Sequence, residues 1–254
     1  MKLSVIIPTY KTPQILDVCL SSAIEGQSIK NEIIVAVDGF YELNKPILDK
    51  YKEHIKVLEL KNNVGTVKAT NLGIYSSTLD YILVVNDDNV FPNEWDERLN
   101  IAIERYTNNF ILSPNQIEPF PSIFKEFVIK DFGRNEKTFD SFEFNKFCLT
   151  LNGNIEECGV SFPFFMKKVD YLRVGGLEQY PSPSGFVSDW EFFMKCEMNG
   201  LKLLRDFGLH FYHFVSVSTK NEQDVEKSKQ FEINCHKYFQ YKWGFSAYNK
   251  LLSK

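Results

Sequence analysis

An α/β protein with a largely parallel sheet is what this chain predicts, on three observations. Over the first hundred residues short apolar runs alternate with helical segments, the pattern of β-α-β units. Tyr81-Ile82-Leu83-Val84-Val85 is apolar throughout, as a strand buried on both faces must be. That run stops at Asn86-Asp87-Asp88-Asn89, and right-handed crossovers bring the other strand ends to the same rim.

The elements follow in order. Leu3-Ser4-Val5-Ile6-Ile7 is a strand ending at Pro8-Thr9-Tyr10. Thr12-Pro13 then offers an N-cap with proline at the first helical position, opening a helix to about Glu25-Gly26. Ile33 to Val37 is a second strand, closed by Asp38-Gly39, and a helix is expected around Pro46 to Tyr51. A strand at Ile55 to Leu60 is followed by the turn Asn62-Asn63-Val64-Gly65 and a helix to about Tyr75. After the acidic stretch, Pro92 and Asn93 lead into another helix.

Composition narrows the class. The chain has 254 residues, enough to bury a large core, and 44% hydrophobic with 24% charged residues is ordinary for a globular protein. A formal charge of -4 argues against a general nucleic-acid or anionic-membrane binder. The five cysteines are odd in number and include no C-x-x-C, so reduced thiols are expected, not a disulfide frame or a zinc site. No leader pattern or membrane-length apolar run is present, which makes a cytoplasmic location the expectation and leaves room for peripheral membrane contact.

Neither a G-x-G-x-x-G after the first strand nor a G-x-x-x-x-G-K-[ST] occurs, which disfavours a Rossmann dinucleotide site and a P-loop. Adjacent carboxylates at a strand's carboxyl end repel one another unless they are solvated or paired with a cation. A divalent metal bridging to a phosphate would satisfy Asp87 and Asp88, and ligands of open α/β sheets sit at that end of the strands. The competing reading makes both of them turn residues. Asp38 has two readings as well, a turn residue with Gly39 or an acceptor for a base or ribose.

Four pieces of the first half resemble the family 2 glycosyltransferases, which have the GT-A fold. They are Val5-Ile6-Ile7-Pro8-Thr9-Tyr10, Val37-Asp38-Gly39, Asn63-Val64-Gly65 with Ala69 and Asn71-Leu72-Gly73, and Asn86-Asp87-Asp88 followed by Pro92 and Trp95. The resemblance implies that Pro8, Thr9, Tyr10 and Asp38 hold a nucleotide, with Asn63, Gly65 and Lys68 beside them. It implies a divalent metal, Mn²⁺ or Mg²⁺, on Asp88, with Asp87 nearer the sugar of a nucleoside-diphosphate sugar donor. Val37 and Phe40 stand where the family often has Asp and Ser, Thr70 where it often has Arg, and Asn86 opens the acidic motif.

The second half is rich in Phe between Phe120 and Phe165, which suits a sugar-stacking or lipid-holding groove but suits core packing better. A strand is expected at Val160 to Met166, then a helix from Lys168 to Val174 stopped by Gly175-Gly176. Ser188 and Glu191 have capping-box spacing at the start of a helix to Gly200, and Asp189 in its first turn complements the helix dipole. By resemblance Gly175-Gly176-Leu177 and Asp189-Trp190-Glu191 form an acceptor signature in which Asp189 is the general base. Ser188 stands where an acidic residue is usual.

Two strands are expected at Leu201 to Leu204 and Leu209 to Ser216. His210 and His213 then face opposite sides, so at most one reaches the rim. The resemblance of Tyr212-His213-Phe214-x-Ser216-x-Ser218 to the family's late His segment assigns the metal or diphosphate to His213. A polar helix from Asn221 to Tyr241, carrying Phe231, Ile233 and Tyr238, closes at Gly244, with Lys242 read as a solvated helix-end residue.

The whole reads as residues 1–112, a nucleotide-sugar-binding half, and residues 113–254, an acceptor-binding half with a C-terminal helix, in one continuous domain. The expected activity is metal-dependent, inverting sugar transfer to a glycan, lipid-linked or protein hydroxyl in glycan or polysaccharide synthesis. Three other readings compete. A sugar nucleotidyltransferase would want a Gly- and Arg-rich loop where Pro8-Thr9-Tyr10-Lys11 stands. A binding protein of the same fold would lack turnover. An enzyme glycosylating modified DNA would oppose the net charge.

Overall fold

The computed structural model describes residues 1–106, 109–122, 124–180, 186–215 and 225–247. Its first half is the parallel unit that the alternation of elements predicts. Strands β1 (Ser4–Thr9), β2 (Glu32–Asp38), β3 (Ile55–Leu60) and β4 (Tyr81–Val84) lie in the order β3-β2-β1-β4, all parallel. Every residue of β1 and β4 is buried, as near-continuous apolar runs require. Helices α1 (Pro13–Glu25), α2 (Tyr41–Lys50) and α3 (Thr66–Ser76) make the connections.

Glycine at position 73 serves close packing of α3 on the sheet. A Cβ there would stand 2.7 Å from Ile6 Cγ2. Asn71 on the same helix donates to the Leu177 carbonyl (2.8 Å) and accepts the Tyr171 hydroxyl, so this stretch of the motif joins the two halves of the chain.

Helix α2 begins at Tyr41, five residues before the expected start, with Pro46 inside it. The Asn44 amide, fully buried, donates to the Tyr10 and Phe40 carbonyls, and this tertiary anchor overrides the boundary that Pro46 suggests. Helix α1 starts at Pro13 as expected, but the Thr12 hydroxyl caps nothing. It is used elsewhere, as shown below.

The second half extends the same sheet. It supplies β5 (Asn89–Val90), α4 (Trp95–Tyr106), β6 (Phe110–Glu118), β7 (Val128–Ile129), α5 (Ser141–Cys148), β8 (Ile155–Glu157) and β9 (Phe164–Lys167). Helices α6 (Lys168–Val174) and α7 (Ser188–Met198), strand β10 (Lys202–His213) and helix α8 (Val225–Trp243) follow. The full order is β3-β2-β1-β4-β9-β6-β10-β5, with β7 on β6 and β8 on β10. Strand β9 is antiparallel to both β4 and β6, so the sheet is mixed beyond β4.

The two strands expected between 201 and 216 are one. Strand β10 runs from 202 to 213 with a register shift against β6 between Asp206 and His210. The Asp206 carboxylate, wholly buried, takes Arg98 (2.6 Å) and the Gly208 N–H (2.8 Å), which absorbs the irregularity without ending the strand. Ser216 and Ser218 lie outside the described residues, as does the expected helical stretch before Val225.

Much of the Phe-rich segment packs the interior, while Phe142 is exposed and Phe162 lines a cleft described below. Phe132 and Phe144 cluster with Ile15, Val90, Ile117 and Tyr212, and Phe164 clusters with Tyr171 and Phe192. Helix α8 buries Cys235 and Phe239 against Tyr180, Val187 and Met194; Ile233 and Tyr238, the residues the sequence suggests, are exposed. Gly244 closes it at φ 75°, with its N–H on the Gln240 carbonyl. Among the described residues no helix is long and apolar enough to cross a membrane.

Candidate active site

The carboxyl ends of β1, β2 and β4 form one rim, and hydrogen bonds lock its acids in place. Asp87, just past β4, accepts from the Thr9 and Thr12 hydroxyls through the same oxygen, each at 2.7 Å. Burial and the neighbouring Asp88 carboxylate push Asp87 up to about 6, against the pull of the two threonines. Thr12, read as a helix cap, is therefore part of the acidic site. Asp38 at the end of β2 accepts the Val64 N–H (2.6 Å) and the Gly65 N–H (3.0 Å). Burial raises its carboxyl despite both bonds. Asp38 thus holds the turn that opens α3, which is why Asn63-Val64-Gly65 belongs beside it. The Asn63 carbonyl side chain also accepts the Gly65 N–H (3.0 Å), and Lys68 is exposed on the first turns of α3.

Pro8 is buried within β1, and Tyr10 follows it at the rim. The Tyr10 ring meets Phe40 edge-on at 5.2 Å, with Lys11 Nζ over both rings. Phe40 is half exposed with φ 54°, a conformation few non-glycine residues adopt.

Asp88 is set by the far half of the chain. Strand β5 pairs antiparallel with β10, His213 opposite Asn89, and the Phe214 N–H bonds to the Asp88 carbonyl at 3.0 Å. His213 Nε2 comes within 3.5 Å of the Asp88 carboxylate, and Nδ1 within 2.8 Å of Glu118 Oε1. Burial opposes a charge on this ring, but Asp88 and Glu118 outweigh it and hold His213 up at about 10. Glu118, at the end of β6, is absent from the sequence reading. Its only sequence signal is an acid ending a long strand, and the parallel register of β6 with β10 is what delivers it to His213.

His210 goes the other way, as odd spacing requires. It lies within 3.2 Å of the Asn115 amide, and burial with nearby Arg98 and Arg205 presses it down to about 4.

Among the described residues no group of three or more His, Cys, Asp or Glu forms a closed metal cage. The Asp88 and His213 donors nonetheless fit a metal that shares its coordination with a diphosphate. Such metals take one or two carboxylates and leave the remaining positions to phosphate and water. The contact of Nδ1 with Glu118 leaves Nε2 as the ligand atom, which would have to give up the proton that Asp88 favours there, since metal ligation releases it.

A cleft of about 300 Å³ opens beside this rim, lined by Asn86 from the acidic stretch and by Ser188 and Asp189 from the start of α7. The capping box expected there does not form. Val187 precedes the helix at φ 71°, no side chain caps it, and the Ser188 hydroxyl is buried without a partner. A β-branched residue held at positive φ is strained backbone, the kind that clusters at functional sites. Asp189 keeps one oxygen on the Trp190 N–H at 2.9 Å, and burial lifts its carboxyl to about 6.

Glu191, freed from capping, turns into the protein and accepts Lys242 Nζ at 2.7 Å, while Glu178 takes the same ammonium. Lys242 is thus no solvated helix-end residue: it clamps α8 onto α7, the helix that carries Asp189. The Glu191 side chain is wholly buried and that of Lys242 is 31% exposed. Lys242→Met should therefore cost about 2–3 kcal/mol, toward the lower end for a broken buried pair, because Glu191 is left charged and unpaired. Urea unfolding measures it; Lys242→Arg should recover most of the loss.

The strand-end rim thus sets the acids Asp38, Asp87 and Asp88 beside a cleft that carries a further carboxylate, Asp189. Comparison with known proteins then gives the family. Residues 4–156 match the model of "Glycosyl transferase family 2", and the chain belongs to that family. An uncharacterised glycosyltransferase of Haemophilus influenzae is 24% identical over 92% of this chain and 81% of its own length. The teichoic acid poly(glycerol phosphate) polymerase of Staphylococcus epidermidis is 23% identical over 91% of this chain, which spans only 31% of that larger protein. Among solved structures, S. aureus TarS 1-349 in complex with UDP superposes with TM-score 0.63 and 17% identity, covering 98% of this chain and 74% of that one. This likeness shows the GT-A fold that the sequence predicts.

Proposed function

We propose that this glycosyltransferase moves a sugar from a nucleoside-diphosphate donor to an acceptor hydroxyl with inversion, Asp189 acting as base. The observation that carries the reading is that Asn86 of the acidic strand end and Asp189 line one cleft. With its carboxyl near 6, Asp189 is ionised at neutral pH yet basic enough to take a proton, which is where a general base works best. It removes the acceptor hydroxyl proton as that oxygen bonds to the anomeric carbon. The bond from that carbon to the diphosphate oxygen breaks, and the diphosphate leaves with the electron pair.

Pro8, Thr9, Tyr10, Asp38, Asn63, Gly65 and Lys68 are the residues proposed to hold the nucleotide, with Tyr10 and the Asp38 carboxylate meeting the base. Asp87 faces the sugar, and Asp88 with His213 would hold a divalent ion. Such an ion supplies charge stabilisation for the departing diphosphate. The UDP complex of TarS supports a uridine nucleotide as donor. The likeness to a teichoic acid poly(glycerol phosphate) polymerase supports glycan or polysaccharide synthesis as the setting.

Melting the protein against a panel of nucleoside diphosphates, each with and without Mn²⁺, tests the reading. UDP at a hundred times its dissociation constant should add roughly 2.7 kcal/mol, and more strongly with Mn²⁺ present. No shift for any nucleotide would reject it.

A further inference from the structure

The charge of the cleft is informative about what it admits. Two of the residues lining it are acids, Asp189 and Glu232, the latter brought by α8. No Lys or Arg is among the described residues that line it. His236, also from α8, places Nε2 4.0 Å from Glu232, and burial keeps its ring below its ordinary range against the pull of that carboxylate. The remaining polar lining is neutral, with side-chain oxygens from Thr66, Thr70, Asn86 and Ser188 and the Trp190 indole.

The Ser188 hydroxyl is a second, independent observation. The residue is 1% exposed and its oxygen finds no hydrogen-bond partner. A buried hydroxyl without a partner is costly, and on a cleft wall a ligand is what can satisfy it. A sugar hydroxyl both donates and accepts.

We infer that this cleft takes an uncharged sugar ring, one of whose hydroxyls completes Ser188, and rejects rings bearing a carboxylate or phosphate. An anionic substituent would meet Asp189 and Glu232 with no Lys or Arg of the described lining to pair it, and like-charge contacts of this kind weaken binding by about a hundredfold. The inference rests on the donor-and-acceptor reading above. The ring is that of the donor or of the acceptor's terminal unit, since both offer the same chemistry.

The test measures dissociation constants for UDP, UDP-glucose and UDP-glucuronate. It then measures methyl glucoside and methyl glucuronide binding to the UDP-saturated protein. A preference for the uncharged ring of about a hundredfold in the first arm assigns it to the donor, and in the second to the acceptor. Glu232→Gln should shrink that preference. Ser188→Ala should weaken the uncharged ring about three- to tenfold, leave UDP itself unchanged, and melt no lower, because its hydroxyl bonds nothing in the protein. Equal binding of charged and uncharged rings in both arms, with UDP still bound, overturns this inference alone. Loss of UDP binding itself removes the nucleotide reading beneath it.

Discussion

Asp189→Asn should lower kcat by about 10²–10⁴-fold while the dissociation constant for UDP stays unchanged, the separation expected of a base that touches the acceptor and not the nucleotide. The wild-type enzyme should lose kcat as pH falls through about 6, where the Asp189 carboxylate takes up its proton, and the residual rate of the variant should lack that limb. Stability moves the opposite way. The folded protein binds the Asp189 proton more tightly than the unfolded chain does, so the protonated side chain is favourable at low pH. That advantage is lost as pH rises from the ordinary carboxylate range through about 6. At pH 7.5 the wild type carries the cost of a half-buried carboxylate and the amide does not. Asp189→Asn should therefore melt about 2–4 °C higher, on the order of 1 kcal/mol. Lost turnover with raised stability cannot come from misfolding. Retained turnover would remove Asp189 from the chemistry.

Asp88→Ala should abolish the Mn²⁺-dependent part of the UDP melting shift and lower kcat by about 10³-fold or more, since charge on the leaving diphosphate then goes unbalanced. The fold should survive, because the join of β5 to β10 at this point runs through the Asp88 backbone carbonyl and not its carboxylate. Asp87→Ala should behave differently. It strands the Thr9 and Thr12 hydroxyls that share its oxygen, so UDP binding should weaken with or without Mn²⁺. A full Mn²⁺-dependent shift in Asp88→Ala would place the ion elsewhere.

The first half was legible because its signals are local. Each strand is a short apolar run, each strand end is marked by Pro8, Asp38 or Asp87, and parallel crossovers have one hand. Those facts place Thr9, Asp38 and Asp87 on one rim before any coordinate is known. The capping box at Ser188 illustrates the limit. Its spacing is ideal, yet Val187 at positive φ and the pull of Lys242 on Glu191 give both residues other work. Local hydrogen bonding predicted a cap, and a contact across 51 residues of chain outcompeted it.

The sequence by itself determined the α/β class, the order of the parallel strands' motifs and the identity of the rim acids, because periodicity and turn chemistry act over a few residues. Only the tertiary structure decided that Thr12 serves Asp87, that Glu118 stands behind His213, and that α8 closes the cleft beside Asp189. The first two contacts join residues 75 and 95 positions apart, and the third brings together helices with β10 between them. Strand register and helix docking set them, and neither leaves a mark in the residues that meet.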